Sequence, residues 1–428
     1  MKKTKKVSIV TLGCKVNTYE SEAIANALLD AGFEVDSTLS KADIYVLNTC
    51  AVTNEGERKS RGIIAKILKL NPIADIYVCG CAAHNNPDQF LKFENVKYVM
   101  GTNDKLKLVD IITGKLKIKK GHGVAEEKEY NDNYKSKHTR ARAVIKIQDG
   151  CNNFCTYCLI PYLRGRERSR SLISIKREIE LLSKTTNEIV LTGINMSAYG
   201  KDLVGQNLGL IDVCELFIGE KVKFRISSLE VNVITDEFLK RLSKIENFQP
   251  HFHLSMQSGC DSVLKKMNRH YTVDEYEQKV ELIRKYYPLA NITTDVIVAF
   301  PTETEEDFET TYNTCKKIGF GWIHIFPYSK RDGTVAAKMK NINDGNIAKE
   351  RVSKLTQLAK VMRDEFTINN IGNVYDVIIE QEHEGCYIGH TPNFIKCYIK
   401  SNKKLIANEV VKVKIQKEFH DGAIAEIV

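Results

Sequence analysis

Residues 143–158 read AVIKIQDGCNNFCTYC. The stretch 144–148 is a short apolar run rich in β-branched residues, the mark of a buried strand. It breaks at Asp149 and Gly150, and three cysteines follow: Cys151, Cys155 and Cys158. Folds that alternate strands and helices collect their chemistry at the carboxyl ends of parallel strands, so thiols at such an end are informative. Three thiolates on one loop supply three of the four ligands a four-iron cluster takes and leave one iron open to a small molecule. The competing reading is zinc. A structural zinc site is closed by four ligands, and Leu159, Ile160 and Pro161 offer no fourth one nearby.

Working outward, this strand opens a series. Further strand patterns fall at 188–192, 223–227, 252–255, 293–299 and 322–326, separated by helical patterns that include 174–183, 235–242, 273–286 and 304–318. Six βα units predict a partial TIM-like barrel over 137–367, closed by a long charged helix at about 346–369. Upstream, residues 1–115 alternate strand patterns (7–12, 44–48, 76–79, 97–100) with helical ones (21–31, 58–70), which predicts an open parallel α/β domain. A polar linker joins the two at 116–136. From 370 to 428 the runs 374–380, 394–400, 410–416 and 423–428 are split by Gly, Asn and Pro, as in a small β-barrel. The fold class is therefore α/β with a C-terminal all-β module.

The chain has 428 residues, 43% of them hydrophobic, and a net charge of +9. It has no run of about 18 apolar residues, the length a membrane helix needs. Lys2, Lys3, Lys5 and Lys6 precede an apolar run that mimics a signal peptide, but Lys15 ends that run early. The expected location is the cytoplasm, where disulfides are rare and clustered cysteines point to metal or catalysis. Beyond the loop, Cys14, Cys50 and Cys81 each close a strand pattern (SIVTLGC, YVLNTC, YVCGC). An open sheet would bring them to one edge. Cys79 is the alternative to Cys81. Cys214, Cys260, Cys315, Cys386 and Cys397 are scattered and read as structural.

The loop CNNFCTYC resembles that of the radical SAM enzymes. Together with TLGCKVNTYES, LNTCAVTNEGERKSR, LTGINMSAYG, RISSLE, HLSMQSGCDSVLKKMNRHYT and HIFPYSKRDGT, the chain resembles the methylthiotransferases along nearly its whole length. That resemblance implies two [4Fe–4S] clusters, one on Cys151, Cys155 and Cys158 and one on Cys14, Cys50 and Cys81. It also implies S-adenosylmethionine as methyl donor and radical source, and a C-terminal RNA-binding TRAM domain. The implied partners are tRNA and an electron donor of the flavodoxin or ferredoxin type. The implied reaction puts a methylthio group on C2 of a modified adenine beside the anticodon, at tRNA position 37. GCKVN (13–17) is most similar to the N6-threonylcarbamoyladenosine type. The alternatives are the isopentenyladenosine type, the ribosomal-protein aspartate type and a non-catalytic RNA-binding iron–sulfur protein.

Other site residues follow from the family or from strand-end positions, which face the active site in barrels. Tyr157 is the aromatic residue the family places before the third cysteine. Gly193 falls on its SAM-contacting glycine motif, with Asn195 beside it. Ser228, Glu230, Gln257 and Asp295 are polar residues at or near strand ends, expected to touch cofactor or substrate. In PTET (301–304) the chain departs from the family, which usually has glycine at Thr302. Arg164, Arg166, Arg168 and Arg170 alternate after the loop, and residues 135–177 hold 11 basic and 2 acidic side chains. An extended arginine face suits tRNA phosphates. In the tail, Tyr387, Phe394 and Tyr398 interleave with lysines, a pattern equally suited to RNA stacking and to barrel core.

Overall fold

Three consecutive runs of β-branched and aliphatic residues build the centre of the N-terminal sheet: β1 (Lys6–Thr11), β3 (Ile44–Thr49) and β4 (Asp75–Gly80). With β2 (Glu34–Asp36), β5 (Val96–Met100) and β6 (Gly121–Gly123) they form an all-parallel sheet of order β2-β1-β3-β4-β5-β6. β3 is buried along its entire length, as expected of a central strand covered on both faces. Helix α1 (Lys15–Asp30) covers one face through Ile24 and Leu28, and α2 (Asn54–Leu70) covers the other through Ile64 and Ile67. The computed structural model describes residues 4–51, 54–123, 130 and 141–428. The expected linker falls partly outside these residues, as do Lys2 and Lys3, and its described start supplies strand β6.

The second series forms β7 (Ala143–Asp149), β8 (Arg168–Ser169), β9 (Glu188–Gly193), β10 (Lys223–Ile226), β11 (Ser228–Leu229), β12 (His251–Leu254), β13 (Asn291–Val298) and β14 (Trp322–Pro327). Two sheets, β10-β9-β7-β8 and β11-β12-β13-β14, meet where Phe224 bridges Phe248. Apart from β8, which runs antiparallel to β7, every strand pairing in these sheets is parallel. The result is an open, curved wall of six βα strands. Its core packs Ile145, Leu191, Phe224 and Phe252 against helical Ile179, Leu239, Val280 and Phe308. Helix Gly345–Ile368 lies along β13 and β14 and leads into a closed barrel of β15 (Val374–His383), β16 (Cys386–His390), β17 (Lys396–Ile399), β18 (Val410–Phe419) and β19 (Gly422–Ile427).

The three modules are tied by ions rather than by apolar contact alone. Helix α1 lies against β7 and β9. Arg142 pairs with Glu188 and with Glu380 of β15, each at 2.7 Å. Arg225 donates to the carbonyls of Thr391 (2.8 Å) and Pro392 (2.6 Å). The sequence reading misses β2, β6 and β16, which are three to five residues long, and starts the first helix six residues late. That first turn buries Asn17, Glu20 and Ser21, so its inward face does not look hydrophobic.

Candidate active site

The sulfurs of the cluster loop all face N–H donors. The Asn153 amide donates to Cys151 Sγ and the Ile160 amide to Cys158 Sγ, both at 3.4 Å. Arg269 Nη1 reaches Cys155 Sγ at 3.4 Å, and Asn195 Nδ2 reaches Cys151 Sγ at 3.7 Å. Such donors stabilise charge on cluster-bound sulfur. As free thiols Cys151 and Cys158 are poorly ionised: burial pushes Cys151 up to about 11 and Cys158 up to about 12. A metal would displace their protons. The loop is pinned by Asn268, whose amide donates to the Asn153 and Phe154 carbonyls at 3.1 and 3.2 Å. Among the described residues no three His, Cys, Asp or Glu side chains group tightly enough for one metal ion. A four-iron cluster binds each thiolate to a different iron and so needs wider spacing.

A small cavity of about 150 Å³ lies against this loop, lined by Cys155, Asn195, Ser197, Glu230 and Arg269 among others. Arg269 also pairs with Glu230. Asn195 leaves its buried Oδ1 without a partner, so the wall holds an acceptor waiting for a donor. A ligand with an amino group, such as S-adenosylmethionine, fits that demand.

The second set of thiols comes from adjacent strands. Cys14 follows β1, Cys50 follows β3 and Cys81 follows β4, and these are neighbours in the sheet. Cys14 occupies the N-cap position of α1. Gly13 and Gly80 precede two of the cysteines, and both have φ of +99°. A Cβ on Gly13 would stand 2.8 Å from Cys50 Cβ, and one on Gly80 would stand 2.4 Å from the Thr49 carbonyl. Glycine there lets the strand ends crowd together. The turn at Gly80 also separates the two candidate thiols. Cys79 is fully buried on the α1 face with Val7 and Val46, while Cys81 packs on the other face and hydrogen-bonds Arg164. They do not share a face, because the strand ends between them.

Beneath Cys81 lies a buried ion cluster that joins two modules. Glu20 of α1 meets Lys105 Nζ, Lys146 Nζ (2.9 Å) and Arg164 Nη1 (3.0 Å). Asp149 meets Lys146 at 2.7 Å and Arg164 at 3.2 Å. Burial opposes the charge on Glu20, yet Arg164, Lys105 and Lys146 together hold it well below the usual carboxylate range. Among the described residues the cluster gathers Lys105, Lys146 and Arg164 around Glu20 and Asp149.

This geometry overturns the expected arginine face. Arg164, Arg168 and Arg170 are buried. Arg164 belongs to the ion cluster, Arg168 donates to the Arg164 and Arg166 carbonyls, and Arg170 pairs with Glu178. Glu20 of the first module and Asp149 draw Arg164 inward, carbonyls of its own segment take Arg168, and Glu178 takes Arg170, so none is presented to RNA. Arg166 alone of the four is exposed, stacked over Phe154 at 4.5 Å. Three other expectations also change. Gln257 lines neither cavity, and its backbone bridges Val296 instead. Tyr157 packs in an apolar cluster with Val263, Met267 and Phe300. Gly193 serves packing, since a Cβ there would meet Met196 Cγ at 2.8 Å.

Ser228 and Asp295 open onto a second, larger cavity of about 1500 Å³, bounded by Cys14 and Lys15 of the first module, the strand ends of the second and Phe394 of the third. Asp295 is held by His253 at 3.2 Å. Phe394 stacks between His251 and His390 at 4.6 and 4.5 Å, Tyr398 pairs with Asp421 and Tyr387 packs on the barrel core. None of the three is a free stacking platform. Arg269, Lys105, Lys146 and Glu20 escaped the sequence reading, for they belong to no local cysteine pattern.

Residues 6–101 match the model of an uncharacterized protein family, UPF0004, and residues 145–315 match that of the Radical SAM superfamily. The chain is 38% identical to the threonylcarbamoyladenosine tRNA methylthiotransferase MtaB of Bacillus subtilis (strain 168), over 99% of this chain and 97% of that protein. It is 40% identical to the same enzyme of Aquifex aeolicus (strain VF5), over 88% and 93%. It is 32% identical to the tRNA-2-methylthio-N(6)-dimethylallyladenosine synthase of Dictyoglomus thermophilum, over 94% of each. Among solved structures, the radical S-adenosylmethionine methyltransferase TsrM of Kitasatospora setae aligns over 76% of this chain and 73% of its own, with TM-score 0.55 and 15% identity.

Proposed function

This chain belongs to the methylthiotransferases of the radical SAM superfamily, and on that premise we propose that its substrate is N6-threonylcarbamoyladenosine at position 37 of tRNA, where the C2–H is replaced by a methylthio group. Its cofactors are two [4Fe–4S] clusters and S-adenosylmethionine, which together supply the radical that an unactivated C–H bond requires and the methylated sulfur that replaces the hydrogen. The observation that carries the reading is one cavity of about 1500 Å³ that runs from Cys14 to the strand ends of the barrel. It gives a modified nucleoside room beside Cys14, between the first module, the barrel strands and Phe394 of the third.

The chain's own residues divide the work. Cys151, Cys155 and Cys158 would hold the radical-forming cluster, with Asn195 and Arg269 orienting ligand and sulfur. Cys14, Cys50 and Cys81 would hold the cluster that presents sulfur, with Arg164 and Lys105 balancing its charge. Asp295, Ser228 and Phe394 face the substrate space. No helix among the described residues is long and apolar enough to cross a membrane. We infer from the tRNA substrate that the enzyme works in the cytoplasm, drawing electrons from a flavodoxin- or ferredoxin-type protein.

Iron analysis after anaerobic reconstitution tests the two-cluster reading. About eight irons per chain are expected, and four irons or bound zinc would contradict it. Cys50→Ala is expected to keep SAM cleavage but abolish methylthio transfer. Transfer that survives in this variant removes the second thiol set from the mechanism.

A further inference from the structure

The large cavity carries a charge that the fold does not answer. Its walls include Lys15, Arg142, Arg225, Arg363 and Lys396. Arg142 is taken by Glu188 and Glu380, and Arg225 by Glu188 at 2.9 Å and two carbonyls. Arg363 pairs with Asp364 at 2.7 Å and Lys396 with Asp421 at 3.0 Å. Among the described residues lining the cavity, Lys15 is the one cation with neither an ion-pair partner nor a hydrogen bond. The nearby carboxylates are engaged: Asp295 by His253, and Glu380 by His390 and Arg142. Lys15 follows Cys14 on the same cavity wall and is open to the cavity.

We propose that Lys15 is a specificity-determining residue whose ammonium binds the carboxylate of the threonylcarbamoyl group, so that the cavity selects an acidic substituent on the adenine over an alkyl one. The inference rests on the substrate reading above. A threonyl substituent brings one carboxylate into the cavity, and Lys15 is the cation left free to take it. An alkyl substituent would force Lys15 to lose water without gaining a partner, which is discrimination by an unmet charge. A tRNA phosphate is the other anion that Lys15 could meet, and a cluster on Cys14 is a third.

The test compares anticodon stem-loop RNAs carrying threonylcarbamoyladenosine or its threoninamide counterpart, which lacks only the charge. Reconstituted wild-type, Lys15→Gln and Lys15→Arg enzymes are assayed for kcat/KM and for RNA Kd, with iron per chain measured on each sample. Wild type is expected to prefer the acid by about 10- to 100-fold, the range of a charge-assisted hydrogen bond. Lys15→Gln should lose that preference, mostly through KM, and Lys15→Arg should keep most of it. An acid-to-amide ratio that stays the same in wild type and Lys15→Gln overturns the proposal. A Lys15→Gln enzyme weakened equally on both RNAs, or short of iron, also overturns it and assigns Lys15 to a phosphate or to the cluster. Wild type that modifies neither RNA overturns the substrate reading, and this inference with it.

Discussion

Arg164 is 1% exposed and holds both Glu20 and Asp149. Removing Arg164 leaves buried carboxylate oxygens of Glu20 and Asp149 short of a hydrogen-bond donor, at a cost of about 1–3 kcal/mol. Arg164→Met should therefore lower the stability of the reconstituted enzyme by that amount in anaerobic urea unfolding, and a change under 1 kcal/mol would show the network to be dispensable. Arg269 offers a different readout. It donates to Cys155 Sγ and brings positive charge beside the loop, which favours the reduced cluster. Arg269→Gln should shift the midpoint potential of that cluster negative in an EPR-monitored titration; an unmoved potential would deny the contact a role. At this scale the position of the cysteines at strand ends was legible and the burial of the arginines was not. A thiol run announces its chemistry by residue type and spacing. Whether an arginine faces phosphate or a buried carboxylate depends on Glu20, Asp149 and Glu178, two of which lie outside its own segment.

The helix Glu305–Ile318 shows what local chemistry fixes. Thr304 Oγ1 accepts from the Asp307 amide at 3.2 Å, and the Asp307 carboxylate accepts from the Thr304 amide at 3.0 Å. This reciprocal cap was written in the sequence as T-x-x-D. Thr302, where the family usually has glycine, is not among the positive-φ positions, so the turn makes no demand for glycine. Burial opposes the charge on Asp307, but the Ser262 hydroxyl, the Thr304 amide and the Cys260 thiol bring it down to about 2. Its folded pKa thus lies below the unfolded value near 4. The stability it contributes is present above about pH 4 and is lost as pH falls toward 2. Thermal unfolding from pH 5 to 2 should show a smaller acid-side decline in Asp307→Asn than in wild type. Equal declines would mean the carboxylate is not held this way. The shorter elements were illegible for a physical reason. β16 (Cys386–His390) is a strand because β15 and β17 pair with it, and α1 starts early because its polar opening residues Asn17, Glu20 and Ser21 are partnered by Thr49, Lys105 and Asn48 of the same module and by Lys146 and Arg164 of the next.

At the scale of the molecule, the positive charge has moved. The C-terminal barrel carries no excess of basic residues, and much of the basic stretch around the cluster loop is interior, neutralised by Glu20, Asp149, Glu178 and Glu188. The order of modules could be read from alternating patterns of strand and helix. Their junction could not, since it is made of single residues from each module: Glu20 on Arg164, Arg142 on Glu380, and Arg225 on the Thr391 carbonyl. Those contacts enclose the cavity that Cys14, the barrel strands and Phe394 share. We propose that the nucleoside entering this cavity is threonylcarbamoyladenosine. Mass spectrometry of tRNA nucleosides from otherwise identical cells with and without the protein tests it most directly. Loss of 2-methylthio-N6-threonylcarbamoyladenosine, with its unthiolated precursor accumulating, is the predicted result; an unchanged level of the methylthio nucleoside would contradict it.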